Sequence, residues 1–271
     1  MYTRLLAALL CLITTVGTYA GTSPGTLVAE KSSAHTAEKE TLKVGYFDLP
    51  PHSNDGTSDA PGAAMEYFNK VAEVMGVKVE YIRLPLSRLT FMLEHNRLDA
   101  ALILAKSDAR SNIFVYPASP ILITKPVFVV KKDSNLQNWA DIQKQHHLKI
   151  GVWQGGYHSA NLAANKNVLI PLSGNDVAHR GIELLINNRF DAFFSPDSHA
   201  VKFEALKHGQ LDSIRILPID DETIPLYTVF TQKTALVHLQ AYEQALKKVK
   251  AELPYDSILQ HYLQQYFENP L

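Results

Sequence analysis

The chain is nearly free of cysteine, with only Cys11 among 271 residues. A single thiol closes no intramolecular disulfide and builds no iron–sulfur cluster or cysteine-based zinc site. An excess of either charge is also missing. There are 26 Lys and Arg against 27 Asp and Glu, a net charge of -1, which offers no electrostatic footprint for a nucleic-acid backbone. No apolar run reaches the roughly 20 residues that span a bilayer. A Walker A loop and a His-Glu-x-x-His helix are absent, and none of the 11 histidines has another at i+4. Metal catalysis therefore has no support in the sequence, and neither a metal nor another cofactor is expected. His146 and His147 read as solvated loop residues.

What is present suits a folded protein. Apolar residues make up 46% and charged ones 20%, enough to bury a full core. The length fits one large α/β domain or two lobes of roughly 120 residues each. Residues 1–20 read as a secretory signal peptide. Arg4 supplies the positive n-region, residues 5–16 form the apolar stretch, and Thr18-Tyr19-Ala20 places small residues at a cleavage site. Cys11 lies inside the apolar stretch after Leu10, which does not fit a lipid-attachment site. Cleavage after Ala20 leaves an exported chain with no thiol. Residues 21–41, rich in Gly, Ser, Thr and Ala without periodicity, read as a flexible leader.

Beyond the leader, short runs of β-branched and aromatic residues alternate with stretches of helical period. Strands are expected at 43–47, 77–84, 99–104, 127–131, 149–153, 168–172, 191–195, 214–218 and 226–230. Helices are expected at 63–75, 87–95, 136–143, 157–164, 176–188 and 198–207, followed by two trailing helices at 235–252 and 255–267. This alternation predicts parallel sheets with crossover helices. An internal echo accompanies it: Asn96-Arg97-Leu98-Asp99-Ala100 resembles Asn188-Arg189-Phe190-Asp191-Ala192. Either the chain has two similar halves, or a helix-to-strand turn favours Asn and Asp. Gly151, Gly155 and Gly156 fail the dinucleotide spacing but fit a generic anion site at a helix N-terminus.

Several segments, taken in order, resemble the type 2 periplasmic solute-binding proteins of family 3, the polar amino acid binders of ABC importers. They are Lys43-Val44-Gly45 with Pro50-Pro51-His52, Gly62 before a helix ending at Gly76, Leu98-Asp99-Ala100 and Ser107-Asp108-Ala109-Arg110. Pro126 to Val130, Lys131-Lys132-Asp133-Ser134 and Lys149 to Gly155 complete the series. The resemblance implies an α/β, two-lobed type 2 periplasmic-binding-protein fold with two crossing strands at the hinge, at 126–130 and 225–230. The first lobe would comprise 42–124 plus 227–271, and the second 125–226. A periplasmic monomer is expected, capturing a small polar or carboxylate-bearing, amino acid-like ligand for an ABC permease or a sensor, with no nucleic acid partner.

Carried over residue by residue, the family's carboxylate-binding arginine falls on Arg110. Leu86 matches the side chain that packs on the ligand, and Leu49 the position before the proline pair; both also read as core leucines. Arg88 is either a second cation or an exposed surface arginine. Trp153, Gly155, Gly156 and Tyr157 fall on the loop that closes over the ligand, although Trp153 also fits a core position. The acid that holds an amino acid's ammonium group falls on Pro196, with Asp197 one residue away. An alternative is an enzyme on the same scaffold, such as a dehydratase of a small carboxylic acid, with Asp197, His158 and His52 as its candidate acids and bases.

Overall fold

The protein is seen in a computed structural model that describes residues 39–54, 61–158, 162, 168–219 and 222–268. The expected signal peptide, the leader up to Glu38 and most of the helix expected at 157–164 lie outside the described residues. In chain order the elements are β1 (Thr41–Tyr46), α1 (Ala63–Met75), β2 (Lys78–Arg83), α2 (Leu86–Glu94), β3 (Ala100–Ala105) and α3 (Asp108–Ser111). There follow β4 (Leu122–Thr124), β5 (Val127–Lys131), α4 (Trp139–Lys144), β6 (Lys149–Trp153), β7 (Val168–Leu172) and α5 (Val177–Ile186). Last come β8 (Ala192–Ser195), α6 (Ser198–Lys207), β9 (Ile214–Pro218), β10 (Ile224–Phe230), α7 (Gln232–Glu252) and α8 (Tyr255–Glu268). Among the described residues no helix is long and apolar enough to cross a membrane.

The strands form two five-stranded sheets, β2-β1-β3-β10-β4 and β7-β6-β8-β5-β9. In each, three strands run parallel and the two others are antiparallel to their neighbours. The central strand β3, Ala-Ala-Leu-Ile-Leu-Ala, is buried along its whole length, as a parallel strand covered on both faces must be. Helix α1 shows how the first sheet is covered. Its buried residues Ala63, Ala64, Tyr67, Phe68, Val71 and Ala72 recur at the three- and four-residue spacing of one helical face.

The sequence echo is a structural repeat. Asn96 and Asn188 both take left-handed backbone angles, φ 53 and 58, which Asn tolerates better than most residues. The following aspartates then act alike. Asp99 Oδ2 accepts from the Lys43 amide at 2.8 Å, and Asp191 Oδ2 accepts from the Lys149 amide at 2.7 Å. Each carboxylate pins the parallel strand beside its own, β1 in one sheet and β6 in the other. The glycines two residues further along match as well. A Cβ on Gly45 would meet Leu98 at 2.6 Å, and one on Gly151 would meet Phe190 at 2.6 Å. Leu98 and Phe190 are the equivalent apolar residues of the two turns.

The chain passes between the sheets twice, at Lys125-Pro126 between β4 and β5, and at 219–223 between β9 and β10. The crossings are therefore the short links before β5 and β10. Strands β5 and β10 each lie wholly in one sheet rather than spanning the hinge. Ile224 to Leu226 pair with β4, so the return into the first sheet precedes the expected residue 227. Strand β4 itself escaped the sequence reading because three residues are too few for a periodic signal. Thr124 ties the crossings together, its hydroxyl donating to the carbonyls of Pro196 at 2.8 Å and Ile224 at 3.2 Å.

Candidate functional site

The ends of β1, β3 and β6 meet at a cleft between the two sheets. Its cavity is lined by Phe47, Leu49, Leu86, Ile103, Leu104, Ala105, Arg110 and Leu226 from the first lobe, and by Trp153, Gly156, Tyr157 and Pro196 from the second. The walls are apolar, and Arg110 is the charged residue among them. Among the described residues no acidic side chain lines this cavity. The enclosed space is about 30 Å³, room for one or two waters.

Arg110 is placed by a local device. Ser107 caps α3, its hydroxyl facing the Arg110 amide, so the last turn of this short helix points the guanidinium into the cleft. Nη1 donates to the Ala105 carbonyl at 2.9 Å, and Nη2 reaches across the cleft to the Gly155 carbonyl. Arg110 is half-buried and takes part in none of the described ion pairs. Burial pulls its pKa down, opposed by Tyr116. The same burial pushes the Tyr116 phenol up to about 12 even though Arg110 opposes it. A guanidinium with only carbonyl and phenol partners in an apolar cleft is a preformed seat for an anion, since desolvation is costly until a counter-charge arrives.

Across the cleft, Trp153 ends β6 almost fully buried and meets Phe47 edge to face, ring centroids 5.8 Å apart. Its indole Nε1 is buried without a hydrogen-bond partner. Gly155 takes φ +72, and a Cβ added there would lie 3.7 Å from the Cα of Ser87 in the first lobe. The Gly156 amide turns back to the Trp153 carbonyl at 3.0 Å, so it is not presented to an anion. The floor carries strain: Ile103, a β-branched residue inside β3, has φ 54, a region such side chains rarely enter. Opposite β3, the pairing of β10 slips between Tyr227 and Val229.

Arg110, Leu49, Leu86, Trp153, Gly156 and Tyr157 therefore meet at one cavity, and Gly155 contacts it through Arg110. Two expected residues do not join them. Arg88 is exposed on α2 with its guanidinium over the Phe91 ring at 5.3 Å. Asp197 is fully buried outside the cavity, where Oδ2 accepts from the Ala200 amide at 2.9 Å and caps α6. The chain bends at Pro196 after β8, so Pro196 lines the cleft while Asp197 turns away to cap α6 at the hinge.

At the hinge Asp197 joins the lobes. His52 Nε2 donates to its Oδ2 at 2.9 Å, His52 Nδ1 bonds the Tyr255 hydroxyl at 2.6 Å, and His199 Nδ1 lies 3.4 Å from Oδ1. Burial alone would push the Asp197 carboxyl up, but His52 and His199 outweigh it and hold the group well below the usual carboxylate range. His199 is raised by its bond to Asp197. Burial pushes the Tyr255 phenol up, and Asp197 adds to this. His158 sits near Phe194 with a buried, unpartnered Nε2 and a pKa lowered by burial. Sequence reasoning missed a second link between lobes. Arg83 grips Asp48 with two bonds of 2.7 and 2.6 Å, and the Asp48 carboxylate also accepts from the Asp176 amide at 3.3 Å.

Two α/β lobes joined by paired crossings, with a cation in the cleft between them, define a ligand-binding protein of the two-lobed, type 2 periplasmic-binding class. The chain belongs to the bacterial extracellular solute-binding proteins, family 3, which match residues 42–265. No curated protein sequence matches it. Similar solved structures include a histidine kinase sensor domain with similarity to periplasmic binding proteins, with TM-score 0.69 and 19% identity, covering 83% of this chain and 96% of that one. The GluR0 ligand-binding core of Nostoc punctiforme in complex with L-glutamate has TM-score 0.68 and 15% identity, covering 82% and 98%. The amino acid ABC transporter substrate-binding protein AbpA of Streptococcus pneumoniae, bound to L-arginine, has TM-score 0.67 and 20% identity, covering 83% and 94%. At these identities the likeness is one of fold.

Proposed function

We propose that this chain is a periplasmic binding protein that closes its two lobes over a small carboxylate bearing an apolar body and delivers it to an ABC permease or a sensor. The carrying observation is the pairing of Arg110 with acid-free, apolar walls. The guanidinium takes the carboxylate, Trp153 and Phe47 take the apolar part, and Pro196 stands where an ammonium group would need an acid. Among the described residues that line the cavity, none is an acid to partner a cationic ligand. Arg110 is bonded across the cleft to the Gly155 carbonyl, so seating a ligand carboxylate on the guanidinium means releasing that bond and parting the lobes. Export by the signal peptide at residues 1–20, a monomeric state and hinge motion at 125–126 and 219–223 belong to the same reading. Of the acids and bases that a dehydratase-like alternative would use, His52 and Asp197 are bonded to each other outside the cavity, which leaves His158, near Arg110, as its candidate.

A thermal-shift screen of small carboxylates and amino acids identifies the ligand, since one present at 100 times its dissociation constant adds about 2.7 kcal/mol of stability. Arg110→Ala then weakens binding of that ligand roughly ten- to a hundred-fold or more, from about 1.5 to 3 kcal/mol for a charge-assisted bond. The primary amide of the same ligand should bind the unaltered protein about as weakly as the acid binds Arg110→Ala. Equal affinity of acid and amide would overturn the proposal.

A further inference from the structure

On the second lobe, away from the cleft, helices α5 and α6 pack together and each carries a His/Glu pair at i,i+4. His179 and Glu183 belong to α5; Glu204 belongs to α6, and His208 caps its C-terminus. Ligand atoms of His179, Glu204 and His208 all lie within 4.8 Å of one another. His208 Nε2 is 3.3 Å from Glu204 Oε2, and His179 Nε2 is 3.5 Å from Glu183 Oε1. Charge-assisted hydrogen bonds normally close to about 2.7–2.9 Å. The separations here approach instead the edge of a tetrahedron built on ligand bonds of about 2.0–2.1 Å, which is roughly 3.3 Å.

Two further observations point to a missing partner. The Nδ1 atom of His179 is buried without a hydrogen-bond partner. The two imidazole rings stack with centroids only 3.6 Å apart, an arrangement that two imidazolium cations would resist. The Glu204 side chain is 9% exposed, so its carboxylate is largely desolvated among these groups.

We propose that His179, Glu204 and His208 form a binding site for a borderline divalent cation such as Zn²⁺. Two neutral imidazoles and one carboxylate are the donor set that this class of ion prefers. Glu183 stands at Nε2 of His179, where it orients the ring as an outer partner while the unpartnered Nδ1 takes the ion. A bound ion bridges α5 to α6 and braces the second lobe. It neither touches Arg110 nor enters the cleft, so the site is independent of the ligand proposed above. The i,i+4 search of the sequence missed it because the histidines are on different helices.

The test uses tag-free, chelator-stripped full-length protein. Zn²⁺ is titrated by calorimetry and Co²⁺ by visible absorption, which reports low-coordinate Co²⁺. Binding of one ion per chain is expected, together with a Zn²⁺-dependent rise in melting temperature. His179→Ala and His208→Ala should each weaken Zn²⁺ binding at least tenfold and abolish the thermal shift, with unchanged circular dichroism. The control His146→Ala/His147→Ala should bind as the parent does. No binding, or binding that survives both single substitutions, or binding lost only in the loop control, overturns the proposal.

Discussion

Replacing His52 by alanine removes one half of a buried hydrogen-bonded pair, with the Asp197 carboxylate as its other half, that crosses between the lobes. The side chains of His52 and Asp197 are 1% and 0% exposed, so solvent neither screens the pair nor rescues the carboxylate left behind. Breaking such a pair from one side costs about 3–5 kcal/mol, because a charge stays buried without its partner. The Tyr255 hydroxyl loses its bond in the same stroke. For a protein of this size each kcal/mol lowers the melting temperature by about 2–4 °C, so a fall of roughly 6–20 °C is expected. Asp197→Ala should cost a similar amount plus about 1 kcal/mol for the lost helix cap. The double variant should cost less than the sum, with a coupling of about 1–3 kcal/mol in a cycle measured by urea unfolding. His52→Gln provides a milder variant if the alanine does not fold. A loss below about 1 kcal/mol in His52→Ala, or zero coupling, would refute the assignment of this pair as the buried tie between the lobes.

The His199 imidazole, raised by Asp197 and faced also by Lys202 and Asp256, adds stability that is complete below its unfolded pKa of about 6.5. The advantage of the parent over His199→Ala should therefore shrink as pH rises past that value; an advantage that grows with pH would contradict the pairing. Asp197, held low, acts in the opposite sense: its contribution is present above about pH 4 and fades as the pH falls further, so Asp197→Asn should narrow the gap to the parent in acid unfolding curves. Gly151→Ala drives a Cβ to 2.6 Å from the Phe190 ring and should cost about 1–3 kcal/mol in denaturant melts. Of the two tryptophans, Trp153 lines the cleft while Trp139 stacks on Phe128. A ligand-induced fluorescence change should thus persist in Trp139→Phe and vanish in Trp153→Phe.

Much of this architecture was legible in the chain. Strands β5, β6, β7 and β9 and helices α1 and α6 begin and end at the residues that periodicity indicates, because apolar spacing and capping act over a few neighbouring residues. The Asn-Arg-x-Asp-Ala echo was legible for the same reason: a left-handed Asn followed by an Asp that pins a strand is a local arrangement, repeated in each lobe. Arg110 belongs with these, since Ser107 sets its direction from three residues away.

The tertiary structure alone decided which side chains meet. Pro196 and Asp197 are neighbours in sequence, yet one lines the cleft and the other is buried at the hinge, because the chain bends after β8 and Asp197 turns to cap α6. His52 finds Asp197 across 145 residues and Tyr255 across 203, and Glu204 meets His179 only because α5 packs on α6. Residue spacing along a chain carries information over a turn or two of helix or one strand. Contacts at these separations depend on how two sheets, each stable by its own burial, are set against one another by two short crossings.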